Sequence, residues 1–213
     1  VANGSKSARY YFGLGYLDRK GIMNQTGFER GNIKFNSEAK VKDRIKVGQH
    51  LNLSYSNTSP GVDESIEGAL RMTPLLPVTD ADGNYTGVAG PGLSNTRNPA
   101  AQLYRTRNDY FKRLNLIGDV YISYDIMDGL TAKTTIAGAF NTFDSRQFTS
   151  LDPEHGEPIS TQTLNEQNQT SYNWNWTSIL NYNAEFGEHS VSAVAGIEAV
   201  KNSGKGSGVS RQG

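Results

Sequence analysis

Between Ser171 and Asn183 the chain reads Ser-Tyr-Asn-Trp-Asn-Trp-Thr-Ser-Ile-Leu-Asn-Tyr-Asn, and alternate residues belong to two unlike sets. Tyr172, Trp174, Trp176, Leu180 and Tyr182 make one set, with Ser178 its only small polar member. Asn173, Asn175, Thr177, Asn181 and Asn183 make the other, with Ile179 the exception. A period of two puts such sets on opposite faces of a strand. Both tryptophans of the chain stand on the apolar side. Tyr172 and Tyr182 are ten residues apart. On a strand tilted by about 40° this separates them by roughly 25 Å along a barrel axis, the height of the apolar band between the aromatic girdles of a membrane barrel. A soluble sandwich strand has no reason to place aromatics at that spacing.

The same alternation recurs along the chain. Tyr10, Phe12, Leu14 and Tyr16 oppose Tyr11, Gly13 and Gly15. Ile33, Phe35, Ala39 and Val41 oppose Arg30, Asn32, Lys34, Asn36, Glu38 and Lys40. Ile45, Val47, Leu51, Leu53 and Tyr55 oppose Lys46, Gly48, His50, Asn52 and Ser54. Leu114, Leu116, Val120, Ile122 and Tyr124 oppose Arg113, Asn115, Asp119, Tyr121 and Ser123, with Ile117 out of phase. A weaker pattern covers Leu130 to Phe143, and Val191, Ala193, Ala195 and Ile197 close the series. The expectation is an all-β, antiparallel up-and-down meander of about seven long strands.

The connectors alternate in length. Lys42-Asp43-Arg44, the Asp128-Gly129 turn and Ala184 to Glu188 are short, whereas 18–27, 57–107 and 144–169 are longer. Within the first long loop, Glu64 to Met72 fits a short helix, and Asp80-Ala-Asp-Gly-Asn84 is a turn signal. In a meander this puts the short turns at one end of the sheet and the long loops at the other. That asymmetry is the pattern of a membrane barrel with short turns on one side and long loops outside. The charges Arg30, Lys34, Glu38, Lys40, Arg113, Asp119 and Lys133 then face water in the lumen. The alternative is a soluble, two-faced β-rich module such as a glycan-binding domain, which would bury Trp174, Trp176 and Leu180 in a core.

Composition removes other classes. Lys plus Arg equals Asp plus Glu at 21 each, which argues against nucleic acid. The mean hydropathy is negative, and no apolar run reaches the length of a transmembrane helix. Cysteine is absent, which removes disulfides and thiolate metal sites. Asp80 to Asn84 resembles the start of a calcium loop, but Tyr85 stands where glycine is needed and Pro91 where glutamate is. His50, His155 and His189 are dispersed, so neither metal nor cofactor is expected. Asp152, Glu154 and Glu157 around His155 read as a solvated polar loop rather than a catalytic carboxylate pair. No enzyme is expected. The Val1 start and the loop-like run Lys201 to Gly213 read as the bounds of an internal piece of a longer protein.

Several runs together resemble a known family. They are Ser7-Ala-Arg-Tyr-Tyr-Phe-Gly-Leu-Gly-Tyr-Leu-Asp-Arg-Lys-Gly21, Thr26-Gly-Phe-Glu-Arg30, Lys46-Val-Gly48, Arg71-Met-Thr-Pro-Leu-Leu-Pro77, Asp82-Gly-Asn-Tyr85 and Asn98-Pro-Ala-Ala101. Leu116-Ile-Gly-Asp-Val-Tyr-Ile-Ser-Tyr124 before Gly129-Leu130, and Gly187-Glu-His-Ser190 before Ala195-Gly196, continue the series in order. The set resembles the SusC-like (RagA-like) TonB-dependent outer-membrane transporters of Bacteroidetes. The resemblance implies that 1–213 is a fragment of the transporter's β-barrel domain, part of a transmembrane barrel of roughly 22 strands, with the plug domain absent. It implies a Gram-negative cell outer membrane, contact with TonB through a part outside this chain, a SusD-like surface lipoprotein as partner, and oligosaccharide or peptide cargo. Sugars are held by aromatic faces and planar polar groups. The first long loop offers Asn84, Tyr85, Tyr104, Arg105 and Arg107 for cargo, unless these order the loop or touch the lipoprotein. Tyr10, Tyr16, Tyr55, Tyr124, Tyr172, Trp174, Trp176 and Tyr182 are assigned to the membrane girdle.

Overall fold

The alternation resolves into strands paired strictly in chain order in a computed structural model, which describes residues 1–62, 65–88 and 95–213. The strands are β1 (Ala2–Gly4), β2 (Ala8–Lys20), β3 (Gly27–Lys42), β4 (Ile45–Ser59), β5 (Tyr110–Met127), β6 (Leu130–Thr149), β7 (Thr163–Phe186) and β8 (His189–Gln212). They form one antiparallel sheet in the order β1-β2-β3-β4-β5-β6-β7-β8, a meander as expected. Two short helices, α1 (Ser65–Arg71) and α2 (Pro99–Arg105), lie in the β4–β5 connector. No helix among the described residues is long and apolar enough to cross a membrane, which says nothing of crossing by strands.

Register carries the apolar pattern across the sheet. Leu14 pairs with Ile33, Ile33 with Leu53, Leu53 with Leu116, Leu116 with Phe140 and Phe140 with Tyr172. Directly opposed residues share a face, so this row is apolar on one side through six strands. The adjacent row, Gly13, Lys34, Asn52, Ile117, Ala139 and Asn173, lies on the other face. A slip of one residue in any pair would exchange the two faces, so the register is strongly specified.

The second face is largely polar and internally bonded, with Ile117 of β5 and Val194 and Val200 of β8 among its apolar members. Arg9 meets Glu38 at 3.0 Å, and the Tyr121 hydroxyl donates to the same carboxylate at 2.6 Å. His50 pairs with Asp119 at 3.0 Å and stacks on Tyr121. The Lys133 ammonium sits 4.2 Å from the Tyr121 ring centre. Gly48 lies beneath that ring, where a Cβ would come within 2.4 Å of it. Register puts Arg30, Lys34, Lys40 and Arg113 on this face as well.

The sheet is a single layer without a core. Among the described residues the buried hydrophobics are Val88 and Ala101, and both belong to the long-loop region. Trp174, Trp176 and Leu180 are 42%, 36% and 41% exposed, so the buried-tryptophan core demanded by the soluble alternative does not form. Trp176 satisfies its indole N–H on the neighbouring strand, donating to Thr134 Oγ1 at 2.9 Å. The apolar band also climbs across the hydrogen-bonded rows. On β2 it reaches Tyr16, whose row continues through Gly31, Tyr55, Leu114, Thr142 and Thr170 to Lys205, but on β8 it stops at Ala199. A level band crosses rows in this way when strands tilt against a barrel axis.

Three expectations are corrected. Among the described residues the strands number eight, because the short β1 pairs Ala2 to Gly4 against Tyr11 to Arg9. The run Lys201 to Gln212, expected as loop, is the upper half of β8, laddered residue by residue against Thr163 to Trp174 of β7. It escapes detection because neither face is apolar there: Ser203, Ser207, Gly204, Gly206 and Gly208 give no period to read. For the same reason β6 and β7 extend beyond the patterned segments, and the loop expected over 144–169 shrinks to 150–162. The helix expected from Glu64 is α1, beginning at Ser65; Glu64 itself lies outside the described residues.

Candidate functional site

The connectors 21–26, 60–109 and 150–162 emerge from one end of the sheet, and 43–44, 128–129 and 187–188 from the other. The tight turns follow from local chemistry: Gly129 and Gly187 adopt φ values of +81° and +63°, where a Cβ is disfavoured. At the long-loop end, the described residues 65–88 and 95–109 pack with 150–162 as one unit.

Asn98 organises that unit. It is 2% exposed and caps α2, its Oδ1 accepting from the Ala100 and Ala101 amides at 3.1 and 3.3 Å. Its Nδ2 donates to the Val78 and Thr86 carbonyls at 2.9 and 2.8 Å. Those carbonyls flank a small ribbon in which Thr79 bridges Tyr85 around the turn Asp80 to Asn84. The Asp80 carboxylate accepts from the Asp82 and Asn84 amides at 3.0 and 2.8 Å, and the bond from the Asn84 amide chiefly holds its pKa below the usual range. One asparagine side chain thus ties a helix start to a turn.

The second loop is clipped on by ion pairs. Arg105 makes a two-pronged pair with Glu154, at 2.7 and 2.8 Å, with both side chains largely buried. This bond chiefly holds the Arg105 guanidinium above its ordinary pKa. Arg97 pairs with Asp152 and donates to the Glu157 carbonyl at 3.0 Å. Asp152 also accepts from the Ile159 amide, and the Gly156 amide donates to the Val88 carbonyl at 3.1 Å. Gly87 allows this approach, since a Cβ there would stand 1.8 Å from the Glu154 carbonyl oxygen. Below the loops, burial pushes the Asp109 carboxyl up, although it accepts from the Phe148 amide at 2.9 Å.

Asp152 and His155, expected in a solvated loop, are 0% and 5% exposed. Burial follows because cations from the other loop, fifty-odd residues earlier, neutralise the acids, a pairing that local pattern does not reveal. The imidazole Nδ1 of His155 stands 2.9 Å from both the amide nitrogen and the carbonyl oxygen of Glu157, which fixes the ring against its own loop.

Of the five residues assigned to cargo, the structure brings four together. The Tyr85 and Tyr104 rings are 6.1 Å apart, Arg105 lies 6.0 Å from the Tyr85 ring, and the Arg107 guanidinium covers Tyr104 at 3.9 Å. Tyr104 and Arg107 are exposed, whereas Arg105 is engaged by Glu154. Asn84 stands apart, its amide donating to Asp80 at 3.3 Å. The residues assigned to a girdle, Tyr10, Tyr16, Tyr55, Tyr124, Tyr172, Trp174, Trp176 and Tyr182, share the apolar face by register.

No family model matches the chain. TonB-dependent receptor P26 of Formosa agariphila is 26% identical over 208 residues, covering 94% of this chain and 20% of the receptor. TonB-dependent receptor P3 of the same organism is 26% identical over 217 residues, covering 95% of this chain and 21% of the receptor. The chain therefore spans about a fifth of the length of the curated relatives it matches. Among solved structures, the RagAB peptide importer in its closed-closed state superposes with a TM-score of 0.78 at 19% identity, covering 100% of this chain and 24% of the matched one. BauA, the ferric preacinetobactin receptor from Acinetobacter baumannii, gives 0.61 at 11% identity, covering 98% of this chain and 28% of that one. These relatives are receptors and importers, not enzymes. Over nearly its whole length the chain is similar to a stretch of Bacteroidetes TonB-dependent receptors, and it folds as the matching stretch of solved receptor and importer barrels does.

Proposed function

We propose that this chain is part of the lipid-spanning wall, and supplies two extracellular loops, of a TonB-dependent importer in a Gram-negative outer membrane. The observation that carries the proposal is a single-layer sheet whose apolar row runs unbroken from Leu14 to Tyr172 while the opposite face is largely polar. In water such a face has no cover; in a bilayer the lipid covers it and the polar face lines the lumen. The aromatics at the edges of the band are then interfacial girdles.

The clipped loops are a rigid rim at the mouth. Exposed Tyr104 with Arg107 stacked on it gives an aromatic face beside a cation, suited to the ring of a sugar or to the carbonyl and carboxylate groups of a peptide. The cargo is an oligosaccharide or a peptide, and similarity in fold to the RagAB peptide importer weighs toward peptides. The same rim is where a SusD-like lipoprotein would close. Energy would arrive from TonB through other parts of the protein.

The chain has no cysteine, so in a full-length background freed of any other cysteine a single cysteine placed here reports on each face. In the full-length protein in isolated outer membranes, Leu180→Cys should react with a lipid-soluble maleimide and resist a charged one. Asn181→Cys should react with the charged reagent once the lumen is opened with urea. Equal labelling of Leu180→Cys by the charged reagent in the untreated membrane would overturn the reading.

A further inference from the structure

The upper half of β8 continues the two-residue alternation of its lower half without a bulge, so Val191, Ala193, Ala195, Ile197, Ala199, Lys201, Ser203 and Lys205 share one face. That face is the apolar outer one, because Leu180 pairs with Ala195 and Trp176 with Ala199. Lys201 stands directly opposite Trp174, and Lys205 opposite Thr170, one step above the aromatic Tyr172. On β5 the outward position after Leu114 is Lys112, whose ammonium rests 4.0 Å from the centre of the Tyr110 ring. Three ammonium groups thus line the long-loop edge of the band on the outer side of β5–β8. Asp144 of β6 stands directly opposite Lys112, Glu166 of β7 stands opposite Arg146 one row further out, and Lys201 and Lys205 have no acid opposite them on β7. The short-turn edge of the same strands is Leu130, Tyr182 and Ala193, which carry no charge.

From this placement we infer that Lys112, Lys201 and Lys205 form a docking surface for phosphate-bearing lipid headgroups of the outer leaflet. The inference rests on the membrane reading above and adds to it the chemistry of the lipid. A lysine at the rim of an apolar band lays its stem along the apolar surface and lifts its ammonium to the headgroups. Beside a girdle tryptophan that charge meets whatever the headgroups carry. Lysines confined to one edge complement an anionic layer on that side, where neutral headgroups would not favour them over serine or threonine. Lumenal cargo does not explain them, because their register directs them away from the lumen.

The test uses the full-length protein reconstituted into phosphatidylcholine vesicles containing a trace of spin-labelled, diphosphorylated lipid A or its dephosphorylated form. The phosphorylated lipid should be enriched beside the wild-type protein. Its enrichment should fall about five-fold for Lys201→Gln or Lys205→Gln, and about twenty-five-fold for the pair, at low salt. Lys201→Arg with Lys205→Arg should retain it, and the lumenal Lys34→Gln should leave it unchanged. Equal enrichment of the dephosphorylated lipid, or an unaltered Lys-to-Gln pair, would overturn the inference. So would displacement by an equal concentration of inorganic phosphate, which would mean that the lysines take a free anion instead of a headgroup. Failure of the wild-type protein to insert as a heat-modifiable barrel would sink the membrane reading itself, a separate outcome.

Discussion

At the scale of single residues, the loop cluster separates side chains that build the rim from side chains available to a ligand. Arg105 looks like a binding residue in the sequence, yet both of its terminal nitrogens are engaged by Glu154. Tyr104 and Arg107 keep exposed surface. Removing one partner of a largely buried ion pair strands the other charge and costs about 3 kcal/mol. In the full-length protein, Arg105→Ala should therefore speed hydrogen exchange of the Gly156 amide by about a hundred-fold, as that amide is held only while the loops stay together. Tyr104→Ala should leave the amide protected and weaken cargo binding about ten-fold, the order expected for loss of one aromatic face. Protection lost in Tyr104→Ala and kept in Arg105→Ala would reverse the division of roles.

At the scale of elements, what could be read from the sequence depended on whether one face of a strand is apolar. β2 to β5 have such a face over most of their length, and their expected faces match the register. β8 above Ala199 does not, and it stays a strand because β7 offers an unbroken ladder. The loop unit was hidden for another reason: Arg97 and Arg105 find Asp152 and Glu154 across a gap in sequence that no periodicity spans. The helix α2 was not expected, although Asn98 before Pro99 is a helix-start signal, and nothing local tells that the Asn98 amide reaches Val78 and Thr86. Close packing of the two loops depends on Gly87. An added Cβ there meets carbonyl backbone, which cannot move aside cheaply. Gly87→Ala should part the loops and open Arg97 and Arg105 to trypsin in the membrane-embedded protein, while the strands keep their heat-modifiable mobility. Unchanged resistance to trypsin would show that the loops are ordered by something other than this contact.

At the scale of the whole molecule, the sheet has the stabilising elements of a barrel wall and lacks those of a water-soluble domain. Backbone ladders run between all neighbouring strands, but among the described residues the order β1 to β8 leaves both outer edges unpaired, and no second layer covers the apolar face. Long unpaired edges and a continuous exposed apolar face both favour association. Hydrogen bonding therefore sets the register, while on the proposed reading a bilayer and further wall would supply the burial that a soluble fold obtains from its core. Residues 1–213 expressed alone should accordingly aggregate in buffer and, in detergent micelles, show strand-type circular dichroism without a sharp unfolding transition. The same residues within the full-length protein should unfold in one cooperative step with the rest of the barrel. A monomeric 213-residue chain that unfolds cooperatively in buffer would mean that the apolar face finds cover within the chain, and the wall assignment would fall with it.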